Sequence, residues 1–471
     1  MFSGRQEEIK ILKQACLRPR GQLICLYGRR RVGKSSLIKE FASQSKLQSF
    51  FFEGLEDRHT KDQIKHFLAT LSKQLDDKFI AKIELNTWSE VFDFLNSKIL
   101  SNKSKKKKII LAFDELQWMA AKRSNLISII KFYWDNYWKD NNVVLILCGS
   151  VASFMVDKVI YSKALYGRID HQILLRPLTI NEAIPLFKTK RNLEEVLKYF
   201  LIFGGIPKYI EAIDLNKSLR VNLEQLCFSS EGLMVNEFEK IFYSQFKEAE
   251  MYMRIVELLD TEKMSLTQIA SKLKISMGGG LQRYLENLEK AQIVTALQPS
   301  TLLYKSNKNI RYAVTDEYLA FYFKFIKNNL SLIKKNKSQN LFVKLCESKW
   351  SSWLGFAFER FVYKNAIKVA QELGFADEVI DYSPYFDKEN KVQVDLMFIR
   401  DTNIVTVCEV KYQQEQISTK IIPEMEAKIL KLKIPSKYTV EKALITVSKP
   451  SKALIDSEYF NHCLSLEQFI C

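Results

Sequence analysis

The stretch Gly28-Arg29-Arg30-Arg31-Val32-Gly33-Lys34-Ser35 has the spacing G-x-x-x-x-G-K-S/T and directly follows the apolar run Leu23-Ile24-Cys25-Leu26-Tyr27. Such a loop is built to hold a phosphate chain. Its glycines let backbone N–H groups wrap a β-phosphate, and a helix starting near Lys34 turns its positive end toward the same anion. Lys34 is expected to reach the β- and γ-phosphates and the Ser35 hydroxyl to ligate Mg²⁺, with Gly28 through Ser36 forming the nucleotide-binding stretch. A second set of reactive groups follows about eighty residues later, where Lys108-Ile109-Ile110-Leu111-Ala112-Phe113 leads into Asp114-Glu115. Two carboxylates at the end of a buried strand are the metal and water partners that a phosphate loop needs. Asp114 is expected to hold the metal through water, and Glu115 to polarise the attacking water as general base.

These groups need rigid elements to position them. The runs ending at Tyr27 and Phe113 and a third run, Asn142-Val143-Val144-Leu145-Ile146-Leu147-Cys148, each read as a strand buried on both faces. Continuous apolar strands of this kind belong to a parallel sheet covered by helices, so the predicted fold class is α/β. The third run ends in Gly149-Ser150, where Ser150 can either meet a γ-phosphate or cap the following helix.

The C-terminal third holds another constellation. Trp353 to Phe361 reads as a helix with Glu359 among apolar neighbours. Val392 to Ile399 reads as a strand carrying Asp395, and Ile404 to Val410 as the next strand, carrying Glu409 with Lys411 two residues on. Side chains two apart on a strand share a face, so Glu409 and Lys411 are expected to point into one pocket beside Asp395.

Between these regions, Met251 to Leu345 is basic, with Lys and Arg outnumbering Asp and Glu about two to one. Amphipathic segments at Met251–Leu259, Ser265–Leu273 and Gly278–Lys290 precede alternation at Ile293, Thr295, Leu297, Tyr304, Tyr312 and Val314. This is the pattern of a winged helix-turn-helix, with Gln282, Arg283 and Lys290 on the face that would enter a groove of duplex DNA. The same module can instead pack as an internal lid element.

The opening Phe2-Ser3-Gly4-Arg5-Gln6-Glu7-Glu8, the phosphate loop, Asp114-Glu115 with Gln117, Cys148-Gly149-Ser150, Leu165 to Arg168 and Gly204 to Ile210 together resemble archaeal-type AAA ATPases of the STAND group, which also occur in bacteria. The resemblance implies that Phe2 to Arg5 lie near the adenine and that Gly205 and Pro207 of a helical lid touch the base. It also implies that Ser150 is a γ-phosphate sensor and that Arg168 reads the γ-phosphate, in cis or as a finger from a second copy in a homo-oligomer. The C-terminal order of Glu, Asp and Glu-x-Lys resembles the PD-(D/E)XK nuclease fold. That implies Mg²⁺ held by Glu359, Asp395 and Glu409, with Lys411 orienting or activating water. The alternative is a buried Asp395–Lys411 ion pair in an inert domain that only binds nucleic acid or docks a partner.

Composition sets outer limits. The 471-residue chain is 47% hydrophobic, enough for about three cores. No apolar segment approaches the ~18 residues of a membrane span, and MFSGRQEEIK lacks a signal-peptide core, so a cytoplasmic protein without membrane contact is expected. The formal net charge of +17 points to a polyanionic partner. Scattered cysteines and the four dispersed histidines, His59, His66, His171 and His462, form no zinc-like set, and Lys105 to Lys108 reads as a solvated loop. The expected domains are a P-loop ATPase core over 1–175, a helical lid over 176–250, the winged helix over 251–315, a helical connector over 316–344 and a restriction-endonuclease-like α/β domain over 345–471. ATP and Mg²⁺ are the expected cofactors of an ATPase switch. The alternative is a nucleotide-gated scaffold with slow hydrolysis and an inert C-terminal domain.

Overall fold

The computed structural model describes residues 2–100, 108–120, 124–150, 152–188, 190–276, 278–298, 310–335, 340–387, 392–432 and 434–470. Lys105 to Lys107, Tyr304 and the connector residues 336–339 lie outside them. The chain separates into two compact units, Met1–Leu178 with Ile206–Lys208, and Thr179–Gly205 with Tyr209–Cys471. Among the described residues no helix is long and apolar enough to cross a membrane.

The first unit is built on a five-stranded sheet of β1 (Gln22–Tyr27), β2 (Gln48–Glu53), β3 (Ile109–Asp114), β4 (Val143–Gly149) and β5 (His171–Leu174), in the order β2-β3-β4-β1-β5. Every pairing is parallel. The three apolar runs become the central strands: β4 is buried along its whole length, and β1 and β3 along all but their last residue. Because the strands run the same way, Gly28, Asp114 and Gly149 all emerge at the carboxyl edge of the sheet, where doubly covered α/β sheets bind ligands. The edge strands β2 and β5 are only partly buried.

Aromatic packing closes one side of this sheet. Phe92, on the helix Trp88–Ile99, stacks on Phe113 with ring centres 5.7 Å apart and meets Trp138 at 5.2 Å. The helix is started by a reciprocal cap in which the Thr87 side chain accepts from the Glu90 N–H and Glu90 reaches back to Thr87. Polar tips inside the cluster are partnered: Tyr133 Oη donates to Asp93 at 2.7 Å, and Trp138 Nε1 donates to Asn96 at 2.8 Å.

In the second unit, the helices Ala249–Thr261, Leu266–Leu273 and Gly279–Lys290 are followed by an antiparallel hairpin of β6 (Val294–Leu297) and β7 (Arg311–Val314). Met264 adds a single bridge to Tyr312. A separate C-terminal α/β domain has the sheet order β12-β11-β10-β9-β8, from β8 (Val379–Asp387), β9 (Val392–Arg400), β10 (Ile404–Lys411), β11 (Thr439–Thr446) and β12 (His462–Ser465). Strands β8 and β9 pair antiparallel with each other and β9 with β10, whereas β10, β11 and β12 are parallel. The helix Leu341–Lys364 carries Glu359 beside this sheet.

Removal of the ring at the centre of the aromatic cluster leaves a cavity that rigid neighbours cannot fill. Phe92→Ala is therefore expected to destabilise the first unit by about 3–5 kcal/mol, read as a lowered midpoint in urea unfolding followed by tryptophan fluorescence.

Candidate functional site

The phosphate loop owes its shape to close backbone packing. Gly28 has φ 154°, and a Cβ there would lie 2.4 Å from the Leu175 carbonyl oxygen. That carbonyl belongs to a segment already fixed, since the Leu175 N–H donates to Tyr27 O at 2.7 Å. Beyond it the chain passes through left-handed Arg31 (φ 71°) and Gly33 (φ 94°) before the helix Lys34–Ser45 begins. Arg29 and Val32 are buried, Arg30 sits 5.4 Å from the Trp118 ring centre and 3.8 Å from Glu56, and Ser35 and Ser36 are exposed at the helix start.

Lys34 is only 6% exposed. Its ammonium donates to the carbonyls of Gly28 and Arg29, each at 3.0 Å, so the loop folds around its own cation. Arg5, itself buried, donates from Nη2 to Val32 O at 2.9 Å and pairs with Glu8 at 3.6 Å, bracing the loop from the start of the helix Gln6–Leu17. A Cβ at Gly33 would stand 3.8 Å from Pro207 Cγ, which brings Pro207 to the phosphate loop. Phe2 is half-buried near the beginning of the described chain.

At the ends of β3 and β4 a compact polar network forms. The Ser35 hydroxyl donates to Asp114 Oδ2, while Asp114 Oδ1 accepts the Glu115 N–H at 2.9 Å. These hard oxygen donors, drawn together from two elements, are the kind Mg²⁺ takes. Glu115 adopts a left-handed backbone (φ 49°). Its Oε2 accepts from the Ser150 hydroxyl at 2.6 Å and from Gln117 Nε2 at 2.5 Å, and Gln117 Nε2 also donates to Ser150 Oγ at 3.1 Å. The sequence showed Gln117 only as part of a resemblance, without a role. Cys148 lies just beneath, and burial pushes its thiol well above the ordinary value, with the neighbouring Asp114 charge adding to the rise.

Arg168 is committed elsewhere on the first unit. Its guanidinium forms a bidentate pair with Asp135, Nε to Oδ1 at 2.8 Å and Nη2 to Oδ2 at 2.9 Å, and Nη1 donates to Tyr166 O at 3.0 Å. The hydrogen bond from Arg168 holds the Asp135 carboxyl below the usual carboxylate range. These contacts use three of its five N–H donors.

The C-terminal constellation is gathered in the second unit. Glu409 is buried on β10, with Oε1 2.9 Å from Lys411 Nζ and Oε2 2.5 Å from Lys428 Nζ. Lys411 also lies 3.6 Å from Glu424. Lys428, on the helix Ile421–Ile429, had no signal in the sequence tying it to Glu409. Asp395, on β9, accepts the Val410 N–H at 3.3 Å; burial, with the Glu409 charge adding, raises its carboxyl. Burial, then the Asp395 charge, pushes Glu359 up to about 7. Among the described residues no group of three or more His, Cys, Asp or Glu is arranged to hold a metal ion. On the helix Gly279–Lys290, Gln282 and Arg283 are exposed, Gln282 Nε2 donates to Glu286 at 3.1 Å, and Lys290 is half-buried.

A parallel sheet in this order, ending in this loop, defines a P-loop ATPase domain. Residues 2–213 match the family described as an ATPase domain predominantly from Archaea, and residues 322–422 match a family of archaeal and bacterial proteins of unknown function. The two parts of the chain are thus similar to an archaeal-type ATPase domain and to a C-terminal domain of that second family. An uncharacterized protein of Methanocaldococcus jannaschii is 28% identical over 371 residues, covering 78% of this chain and 78% of its own length. An uncharacterized ATP-binding protein of the same organism is 23% identical over 250 residues, 48% of this chain and 72% of that protein. Among solved structures, the Walker-type ATPase PABY2304 of Pyrococcus abyssi aligns with a TM-score of 0.48 and 22% identity, over 68% of this chain and 95% of that one.

The raised Glu359 carboxyl has a consequence for stability. A folded value of about 7 against an ordinary 4.5 means the group favours the folded state fully below pH 4.5 and loses that contribution as pH rises through 7. In metal-free buffer, Glu359→Gln is expected to raise the thermal midpoint relative to the parent protein increasingly between pH 5 and pH 8. Differential scanning calorimetry at both ends of that range checks this, and a constant difference contradicts it.

Proposed function

We propose that the first unit is a Mg²⁺-dependent ATPase that works as a nucleotide switch. The observation that carries this reading is the buried Lys34 ammonium, satisfied by the carbonyls of its own loop and positioned where a phosphate chain would replace them. The archaeal ATPase family match and the ATP-binding relative support ATP as the nucleotide.

In this mechanism the loop amides from Gly28 to Ser36 wrap the phosphates, and Lys34 offsets charge on the β- and γ-phosphoryl oxygens. Ser35 and Asp114 are the residues that would hold Mg²⁺, which when bound neutralises charge on the phosphates. Glu115 accepts a proton from the attacking water. Ser150 senses the γ-phosphate from its place against Glu115. Arg168 adds a cation to the same phosphate, from its own chain or from a second copy. Phe2, Arg5 and Pro207 frame the adenine side of the loop.

The C-terminal domain is proposed to be nuclease-like. The order of Glu359 on a helix, Asp395 on β9 and Glu409 with Lys411 on β10 supports this, and the basic charge of the chain and the winged-helix topology support a nucleic-acid partner. A second reading, that this domain binds or docks without cleaving, is favoured by the two lysines that occupy both oxygens of Glu409.

Purified protein with ATP and Mg²⁺ is expected to release phosphate, and Lys34→Ala to lower the rate by roughly 100-fold or more, given the weight of charge stabilisation in phosphoryl transfer. Equal rates in the two proteins refute the ATPase assignment. Supercoiled plasmid incubated with Mn²⁺ and ATP separates the two readings of the C-terminal domain. Nicking that disappears in Asp395→Ala and Lys411→Ala supports cleavage, and intact plasmid supports the binding-only role.

A further inference from the structure

We propose that Gln117 is a positioning residue for ATP hydrolysis, holding Glu115 and Ser150 in one arrangement so that a single carboxylate oxygen faces the reaction. The proposal rests on the ATPase reading of the first unit. Nothing in the phosphate-loop pattern calls for an amide here, because Gln117 lies beyond the paired carboxylates and is nine-tenths buried, 9% exposed.

The three side chains close a triangle. Gln117 Nε2 donates to Glu115 Oε2 at 2.5 Å and to Ser150 Oγ at 3.1 Å, and Ser150 Oγ donates to the same Glu115 Oε2 at 2.6 Å. Two consequences follow from donor and acceptor identities alone. Because the Ser150 oxygen accepts from the amide, its one proton is directed to Glu115. Because both donors converge on Oε2, Glu115 Oε1 receives no hydrogen bond from a described residue and is the oxygen available to a water. A free glutamate side chain has three rotatable bonds, and this triangle removes most of that freedom before substrate arrives.

The amide cannot serve equally well the other way round. Turning it over would place its oxygen against the Glu115 carboxylate, acceptor against acceptor. The cost of the working orientation is visible at its other end, where Gln117 Oε1 is buried without a hydrogen-bond partner. Such a group is expensive to leave unpaired, on the order of 1–3 kcal/mol, and is retained where the rest of the side chain is needed. The pocket around it is equally specific. A Cβ on Gly149 would lie 2.7 Å from Gln117 Oε1 and 2.6 Å from Met155 Sδ, so the glycine before Ser150 is what lets the amide enter. The short helix Leu116–Met119 carries Gln117, and its backbone is anchored where Trp118 N donates to Glu115 O at 2.9 Å.

Misplacing a catalytic group by about 1 Å can lower a rate by roughly 10²-fold. Gln117→Leu, which keeps the approximate volume and removes the donor, is therefore expected to lower kcat for phosphate release by about 10- to 100-fold while KM for ATP changes less than about twofold. Gln117→Met is the second variant if the leucine protein does not fold. Adding Ser150→Ala to Gln117→Leu is expected to cost much less than Ser150→Ala alone, because the two residues act on one oxygen. Unchanged kcat, a parallel change in KM and kcat that leaves their split unaltered, or fully additive losses each overturn the proposal. Parent protein that releases no phosphate fails in a different way: it removes the ATPase reading and this inference with it.

Discussion

A lysine ammonium nearly sealed from solvent has to be paired, and in the first unit Lys34 is paired by the chain that would otherwise bind phosphate. The carbonyls that meet it belong to Gly28 and Arg29, and Gly28, directly after β1, is pressed against the Leu175 carbonyl. The parallel sheet exists to make that geometry rigid. With β1 flanked by β4 and β5, and β3 beyond β4, the loop, the Asp114-Glu115 pair and Gly149-Ser150 are delivered to one edge by strands that cannot shift without opening the core. Arg5 ties the helix Gln6–Leu17 to the loop at Val32, so the opening residues of the chain belong to the site's frame.

What could be read in the sequence follows how strongly each element is buried. The runs at Leu23–Tyr27, Ile109–Phe113 and Val143–Cys148 are buried on both faces and appear as unbroken apolar stretches, which is why the central strands and the fold class were legible. β2 and β5 were not, because edge strands mix exposed and buried positions: Gln48 is exposed beside buried Phe50, and Gln172 beside buried Ile173. The loop and its carboxylates were legible because backbone geometry imposes spacing over eight residues. The Glu115–Gln117–Ser150 triangle was not, since it depends on β3 and β4 lying side by side, and Lys428 meets Glu409 only through the packing of a separate helix.

The described residues gather into two compact units, Met1–Leu178 with Ile206–Lys208, and Thr179–Gly205 with Tyr209–Cys471. Packing within the second unit joins segments far apart in the chain. Asn181 Nδ2 donates to Ile470 O at 2.7 Å, Gln414 Nε2 donates to Glu194 at 2.6 Å, and Phe200 meets Phe361 edge to face at 6.2 Å. Composition changes at residue 176 mark where the sheet ends, but contacts between residues hundreds of positions apart decide which segments share a core.

The two constellations differ in how they handle charge. In the first unit the buried Lys34 ammonium donates, among the described residues, to two neutral carbonyls, so an arriving polyanion gains a full ionic partner and displaces weaker ones. In the C-terminal domain the buried Glu409 already faces two ammonium groups, one from its own strand and one from a neighbouring helix. A cation entering there gains less, because each oxygen it reaches is already paired with an ammonium group. The same residue types therefore imply different demands: the loop around Lys34 is arranged to accept an external anion, and the cluster around Glu409 must first surrender an internal lysine before its carboxylate can serve a metal.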